Sequence, residues 1–187
     1  MDAFLTSTTT VALAEMGDKT QLLSLLLAAR FRNKPAIIAG ILLATLLNHA
    51  ASAWLGTWLA HWLNSHWFDW LLAASFIVLG LWLLIPDKDE DVSHRFDHLG
   101  AFLVATVLFF LAEIGDKTQL ATVLLGAQFS DLLWVTLGTT LGMLIANVPV
   151  VYMGDHLLKR LPMRSLHLAA SALFIGVGLW VLLQASI

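Results

Sequence analysis

The chain has 187 residues, of which 59% are apolar and 12% charged, with a mean hydropathy of +0.82. That leaves too little polar surface to cover a soluble domain, and a net charge of −3 offers no basic face for nucleic acid. With no cysteine, disulfides and thiolate metal sites are excluded.

The opening MDAFLTSTTT has no basic n-region, and an acidic residue sits well inside the first apolar run. This is not the pattern of a cleaved signal peptide, so the first helix is expected to stay. Crossing about 30 Å of hydrocarbon takes about 20 helical residues. Apolar stretches of that order run over 3–29, 35–60, 67–85, 99–127, 131–156 and 166–185. The expected fold class is therefore an all-α integral membrane protein with six transmembrane helices. Outside two short motifs described below, Lys and Arg fall at Arg30, Arg32 and Lys34, at Lys88 and Arg95, and at Lys159, Arg160 and Arg164. All eight lie in the first, third and fifth connections, so the positive-inside rule puts these in the cytoplasm and both termini outside.

Sliding the chain against itself by 98 residues aligns Glu15 with Glu113, Phe31 with Phe129, Gly40 with Gly138, and Gly56 with Gly154, without a gap. Each half then holds three spans, and an odd number of crossings turns the second half upside down, which predicts inverted repeats. The expected divisions are 1–85, an acidic cytoplasmic connector at 86–98, and 99–187. In the connector, His94 and His98 stand beside Asp87, Asp89, Glu90 and Asp91; a solvated charge run is the favoured reading over a metal sensor. Gly138 and Gly142 form a GxxxG pattern matched by Gly40 and Ala44, a small face for close helix approach within one subunit or between two copies in a homodimer. Trp54, Trp58 and Trp62 recur every four residues, as an interfacial aromatic belt or a dimer surface would.

The two motifs are LAEMGDKTQL (13–22) and LAEIGDKTQL (111–120), identical at nine of ten positions. On a continuous helix Glu15, Asp18 and Gln21 share one face, with Lys19 close to Glu15 on the other side and Thr8 on the same face. The second half rebuilds that face with Glu113, Asp116, Gln119, Lys117 and Thr106. One charge at mid-bilayer costs roughly 2.5–3.5 kcal/mol, so six cost on the order of 15–20 kcal/mol. Such groups must face a cavity or satisfy one another. A structural lock, with Glu15 and Lys19 bridging at i,i+4, is the plain alternative, but it leaves Asp18 and Asp116 uncompensated.

Each motif sums to −1, so a joint site carries −2, which matches one divalent cation or two protons. Glu15, Asp18, Gln21, Glu113, Asp116 and Gln119 can offer six oxygens, suited to a hard ion such as Mn²⁺, Ca²⁺ or Mg²⁺ and not to Zn²⁺ or Cu. Thr20 and Thr118, with Lys19 and Lys117, are supporting residues; the lysines hold the carboxylates apart and keep the empty site from binding too tightly. Met16, whose counterpart is Ile114, reads as packing. Gly17 and Gly115 either permit close helix contact or let the backbone break open toward an ion. Asn48, His49 and Asn147 are further intramembrane polar residues, expected to brace neighbouring helices around the site. No prosthetic group is expected. Rival readings are an amino-acid-type solute exporter, an intramembrane acid/base enzyme, which lacks any H-E-x-x-H or activated nucleophile, and a structural subunit.

Two copies of E-x-G-D-K-T, each opening a three-helix repeat around an acidic central loop, resemble the family of Gdt-type Mn²⁺/Ca²⁺:proton exchangers and its short bacterial members that export manganese. The resemblance covers essentially the whole chain. It implies that Glu15, Asp18, Glu113 and Asp116 bind the cation, that the ion is Mn²⁺ or Ca²⁺ exchanged for protons, and that the compact chain sits in a bacterial cytoplasmic membrane.

Overall fold

The computed structural model describes residues 1–62, 66–85, 100–154 and 163–186. The charged connector at 86–98, with His94 and His98, lies outside the described residues, as do Lys159 and Arg160. Eight helices make up the described chain: α1 Asp2–Glu15, α2 Lys19–Arg30, α3 Lys34–Trp62, α4 His66–Trp82, α5 Ala101–Glu113, α6 Lys117–Phe129, α7 Leu132–Met153 and α8 Met163–Ala185. No strand occurs among the described residues. Three helices, α3, α7 and α8, are long and apolar enough to cross a membrane, while α4 and α5 are apolar but shorter.

The continuous helices expected over 3–29 and 99–127 are each two helices. The break follows from one local sequence, E-x-G-D. Met16 is extended (φ −69°, ψ 112°), Gly17 has φ +91°, and Asp18 N–H donates to Glu15 O at 3.2 Å. These are the features of a type II turn, whose third position needs a positive φ and so a glycine. The second copy repeats it: Ile114 at φ −65°, ψ 120°, Gly115 at φ +77°, and Asp116 N–H to Glu113 O at 3.1 Å. Asp18 and Asp116 follow as the extended N-cap residues of α2 and α6. Of the two roles open to Gly17 and Gly115, the backbone break is the one observed.

Pairing between the halves is reciprocal: α1 packs on α7 as α5 packs on α3, α2 on α7 as α6 on α3, and α4 runs against α8. Lipid tails remove any hydrophobic drive between helices, so closeness must come from small residues and van der Waals contact. Gly138 shows how close: a Cβ there would sit 2.6 Å from Phe4 O, and one at Gly40 would sit 2.6 Å from Phe102 O. The GxxxG face is therefore used within the subunit, with Gly142 against Thr8 and Ala12 of α1. Between α4 and α8 the fill is aromatic, Phe76 against Phe174 with centroids 6.2 Å apart.

Polarity runs inside out. Leu42, Leu43, Leu46 and Leu47 of α3 are exposed, and so are Trp54, Trp58 and Trp62, whereas Ser7, Thr10, Glu15, Gln21, Ser24, Thr45, His49, Glu113 and Asn147 are buried. Several hydroxyls return to the carbonyl four residues back, as Thr10 and Thr122 do to Thr6 and Thr118, so they cost little in an apolar surrounding.

Candidate metal centre

The two type II turns bring Glu15 to the C-terminal end of α1, Glu113 to that of α5, and Asp18 and Asp116 to the N-terminal ends of α2 and α6. One carboxylate oxygen from each of Glu15, Asp18 and Asp116 lies within 4.8 Å of the others. Helix N-termini carry partial positive charge, which favours carboxylates there and lets α2 and α6 share the load of the negative group. Glu15 is fully buried and receives two hydroxyls, one from Thr20 at 2.5 Å in its own half and one from Thr118 in the other. Asp116 caps α6 by accepting from Thr118 N–H at 3.2 Å, and its other oxygen meets Lys19 Nζ at 3.2 Å. Lys19 thus makes an ion pair between the motifs, and the helix break between Glu15 and Lys19 removes the continuous turn on which an i,i+4 lock would rest.

The glutamines brace the turns. Gln21 Oε1 accepts from Gly17 N–H at 2.8 Å while its amide donates to Ala146 O of α7 at 2.7 Å, and Gln119 Oε1 accepts from Gly115 N–H at 2.7 Å. Pro149, which lacks an N–H and crowds the preceding turn of α7, lies three residues past Ala146. Asn147 ties α7 to α2: its Oδ1 accepts from Ser24 at 2.7 Å, and its amide donates to Met143 O at 3.1 Å and toward Thr20 at 3.5 Å. Asn48 donates to Phe110 O at 3.1 Å, pinning α3 to α5. Glu113 falls outside the three-carboxylate group, with Thr45 on one oxygen and His49 beside the other.

A narrow cleft of about 10 Å³, room for a single water-sized sphere, reaches this group and is lined by Gly17, Asp18, Asp116, Lys117, Leu83 and His167, among others. Lys117 Nζ donates to Ile85 O at 2.5 Å and sits 5.7 Å from the Trp82 ring centroid, so the C-terminal end of α4 forms one wall. At the opposite ends of α4 and α8 a wider cavity of about 310 Å³ is lined by Asp69, Gln128, Ser130 and Gln184 with Leu72 and Val181. Thr45, His167 and the Ile85 carbonyl did not stand out in the sequence. Thr45 had a signal, being four residues from His49 on one helix face; His167 had one only through the 98-residue offset, which pairs it with Asp69.

An all-helical chain with an apolar exterior, and a buried carboxylate group reached by a cleft at two helix breaks, has the build of a membrane cation transporter. The family described as "Divalent cation/proton antiporter GDT1" matches residues 3–91 and 101–187. The chain belongs to this family. It is 51% identical over 183 residues to a Vibrio cholerae protein named "Putative manganese exporter", covering 96% of this chain and 90% of that one. It is 26% identical to "GDT1-like protein 4" of Oryza sativa subsp. indica, over 95% of this chain and 72% of the relative. To the Saccharomyces cerevisiae "Divalent cation/proton antiporter GDT1" it is 23% identical, over 99% of this chain and 85% of the relative. No solved structure matches it.

Proposed function

We propose that the protein exports a divalent cation, Mn²⁺ foremost and Ca²⁺ second, from the bacterial cytoplasm in exchange for protons. The carrying observation is the convergence of Glu15, Asp18 and Asp116 within 4.8 Å at two helix breaks beside a cleft. The cation sits on those oxygens, Glu113 ends α5 at the second break, and Gln21 and Gln119 hold the turns that aim the acids. Cation and protons compete for the same carboxylates, and that competition couples the two fluxes.

In this reading α1 with α2, and α5 with α6, each make one broken span, giving six spans in two inverted repeats, 1–85 and 99–187, joined by 86–98. The reciprocal pairing of helices across the 98-residue offset supports it. Both termini face outward. The cleft opens beside Leu83, Ile85 and His167, at the helix ends that precede Lys88 and Arg95 and follow Lys159 and Arg160 in the sequence, and the positive-inside rule assigns those charges to the cytoplasm. The cavity at the far ends of α4 and α8 supplies the opposite vestibule, and rocking of one half against the other exposes the acids to each in turn.

Reconstitution tests this directly. Proteoliposomes loaded with a pH-sensitive dye should show proton movement driven by an Mn²⁺ gradient, and Glu15→Gln should abolish it. Mn²⁺ flux with no proton movement at any gradient, or full exchange by the variant, refutes the reading.

A further inference from the structure

The two motifs are nearly identical in sequence, yet their glutamates have different company. Glu15 is clasped by hydroxyls from Thr20 and Thr118. Glu113 faces α3, where Thr45 donates to Oε1 at 3.0 Å and His49 Nε2 lies 3.3 Å from Oε2. All three side chains are buried, His49 and Thr45 completely. The histidine contact is close enough for an ion pair but is not aligned as a hydrogen bond. Both ring nitrogens of His49 and Oε2 of Glu113 lack a hydrogen-bond partner among the described residues. Unsatisfied polar atoms in an apolar interior are expensive, and their clustering marks a place where something else is accepted.

The 98-residue offset places Asn147 opposite His49 and Met143 opposite Thr45. Asn147 is committed to Ser24 and to the α7 backbone. The glutamate of the first break therefore has oxygen neighbours alone, while that of the second adds an imidazole. Oxygen donors serve Mg²⁺, Ca²⁺ and Mn²⁺ alike, whereas imidazole favours transition ions and is a poor ligand for Ca²⁺ and Mg²⁺. Two donor atoms about 2.0–2.2 Å from one ion at about a right angle stand about 3 Å apart, close to the His49–Glu113 separation of 3.3 Å.

We propose that His49 and Glu113, oriented by Thr45, form a nitrogen–oxygen coordination station at the second helix break, and that it makes the transporter prefer a transition divalent cation over Ca²⁺ and Mg²⁺. This rests on the divalent-cation export reading above. His49 is the residue that sets specificity; the carboxylates set charge.

The test is spectroscopic, on the full-length protein carrying ¹⁵N-histidine and loaded with Mn²⁺ alone. Pulsed electron paramagnetic resonance should show a ¹⁵N coupling to the bound Mn²⁺, and His49→Asn, which installs the residue found at the counterpart position, should remove it. In the same variant Mn²⁺ affinity should fall by about tenfold or more, with Ca²⁺ affinity changed by less than about twofold. His49→Gln serves as a second variant if the first does not fold, and the parent spectrum needs no variant. Bound Mn²⁺ without nitrogen coupling, coupling that survives in the variant, or an equal loss for both ions overturns the role of His49 and leaves cation export standing. A parent protein that binds no Mn²⁺ at all overturns export and the station together.

Discussion

Lys19 of the first motif reaches Asp116 of the second at 3.2 Å, so the positive charge of one half is spent on the acid of the other. Asp116 is nearly fully buried and Lys19 about one-fifth exposed. Removing the lysine strands a buried carboxylate, which destabilises the empty protein, and it also removes a repulsion felt by an incoming cation. At an effective dielectric near 20 two like unit charges about 8 Å apart repel by about 2 kcal/mol, and a divalent ion feels about twice that. Lys19→Gln is therefore expected to bind Mn²⁺ at least about tenfold more tightly and to turn over more slowly. Isothermal titration beside a transport assay checks both, and weaker binding in the variant contradicts the assigned role.

Thr118 is the hydroxyl that the second half lends to Glu15, while its N–H donates to the capping carboxylate of Asp116. Thr118→Val keeps the shape and the N–H but deletes the hydroxyl, leaving one Glu15 oxygen short of a partner, a cost of about 1–3 kcal/mol. Thr118→Ser restores the donor. Transport should fall steeply in the valine variant and return in serine, with the helical content of both unchanged by circular dichroism.

Gly115 has open space around it, so its requirement is conformational: φ is +77° and no atom lies within 4 Å of an added Cβ. Asn tolerates positive φ far better than a β-branched residue does. The order of thermal stability and of transport should be Gly, then Asn, then Val. Were crowding in control, Asn and Val would be equally harmful.

Gly138 has the opposite need. A methyl there would collide with Phe4 O, which is backbone and cannot rotate away. Gly138→Leu should push α1 from α7 and cost about 1–3 kcal/mol or more, seen as a lower melting temperature or as aggregation in size-exclusion chromatography. Because α1 carries Glu15, any protein that survives should also bind Mn²⁺ less well.

Bound cation should stabilise the fold through mass action, by about 2.7 kcal/mol at a free concentration one hundred times the dissociation constant. Mn²⁺ is expected to raise the melting temperature of the purified chain, and Asp18→Asn to erase that rise. Equal stabilisation of parent and variant would move the site away from Asp18.

Much of this was legible in the residues. Composition and the length of the apolar runs point to a membrane chain, and the 98-residue offset marks two related halves whose helices do pair reciprocally. The acids were findable because charge in an apolar run has no cheap explanation. What misled was periodicity. Reading 13–22 as one helix put Glu15, Asp18 and Gln21 on a shared face, whereas the four letters E-x-G-D spell a type II turn that ends one helix and caps the next. The Gly at its third position was the available signal, and in an apolar setting it competes with the equally familiar use of glycine for helix contact. The split between Glu15 and Glu113 was not legible from the motifs, since it depends on what α3 and α7 present, and those helices differ at His49 and Asn147.

Glu15 takes one hydroxyl from each half of the chain. If the halves part, the Thr118 contact is the one that must be surrendered, while Thr20 travels with its own acid. Under the proposed exchange the glutamate would be a latch: both hydroxyls in place hold the halves together, and an arriving ion would take the position that Thr118 leaves.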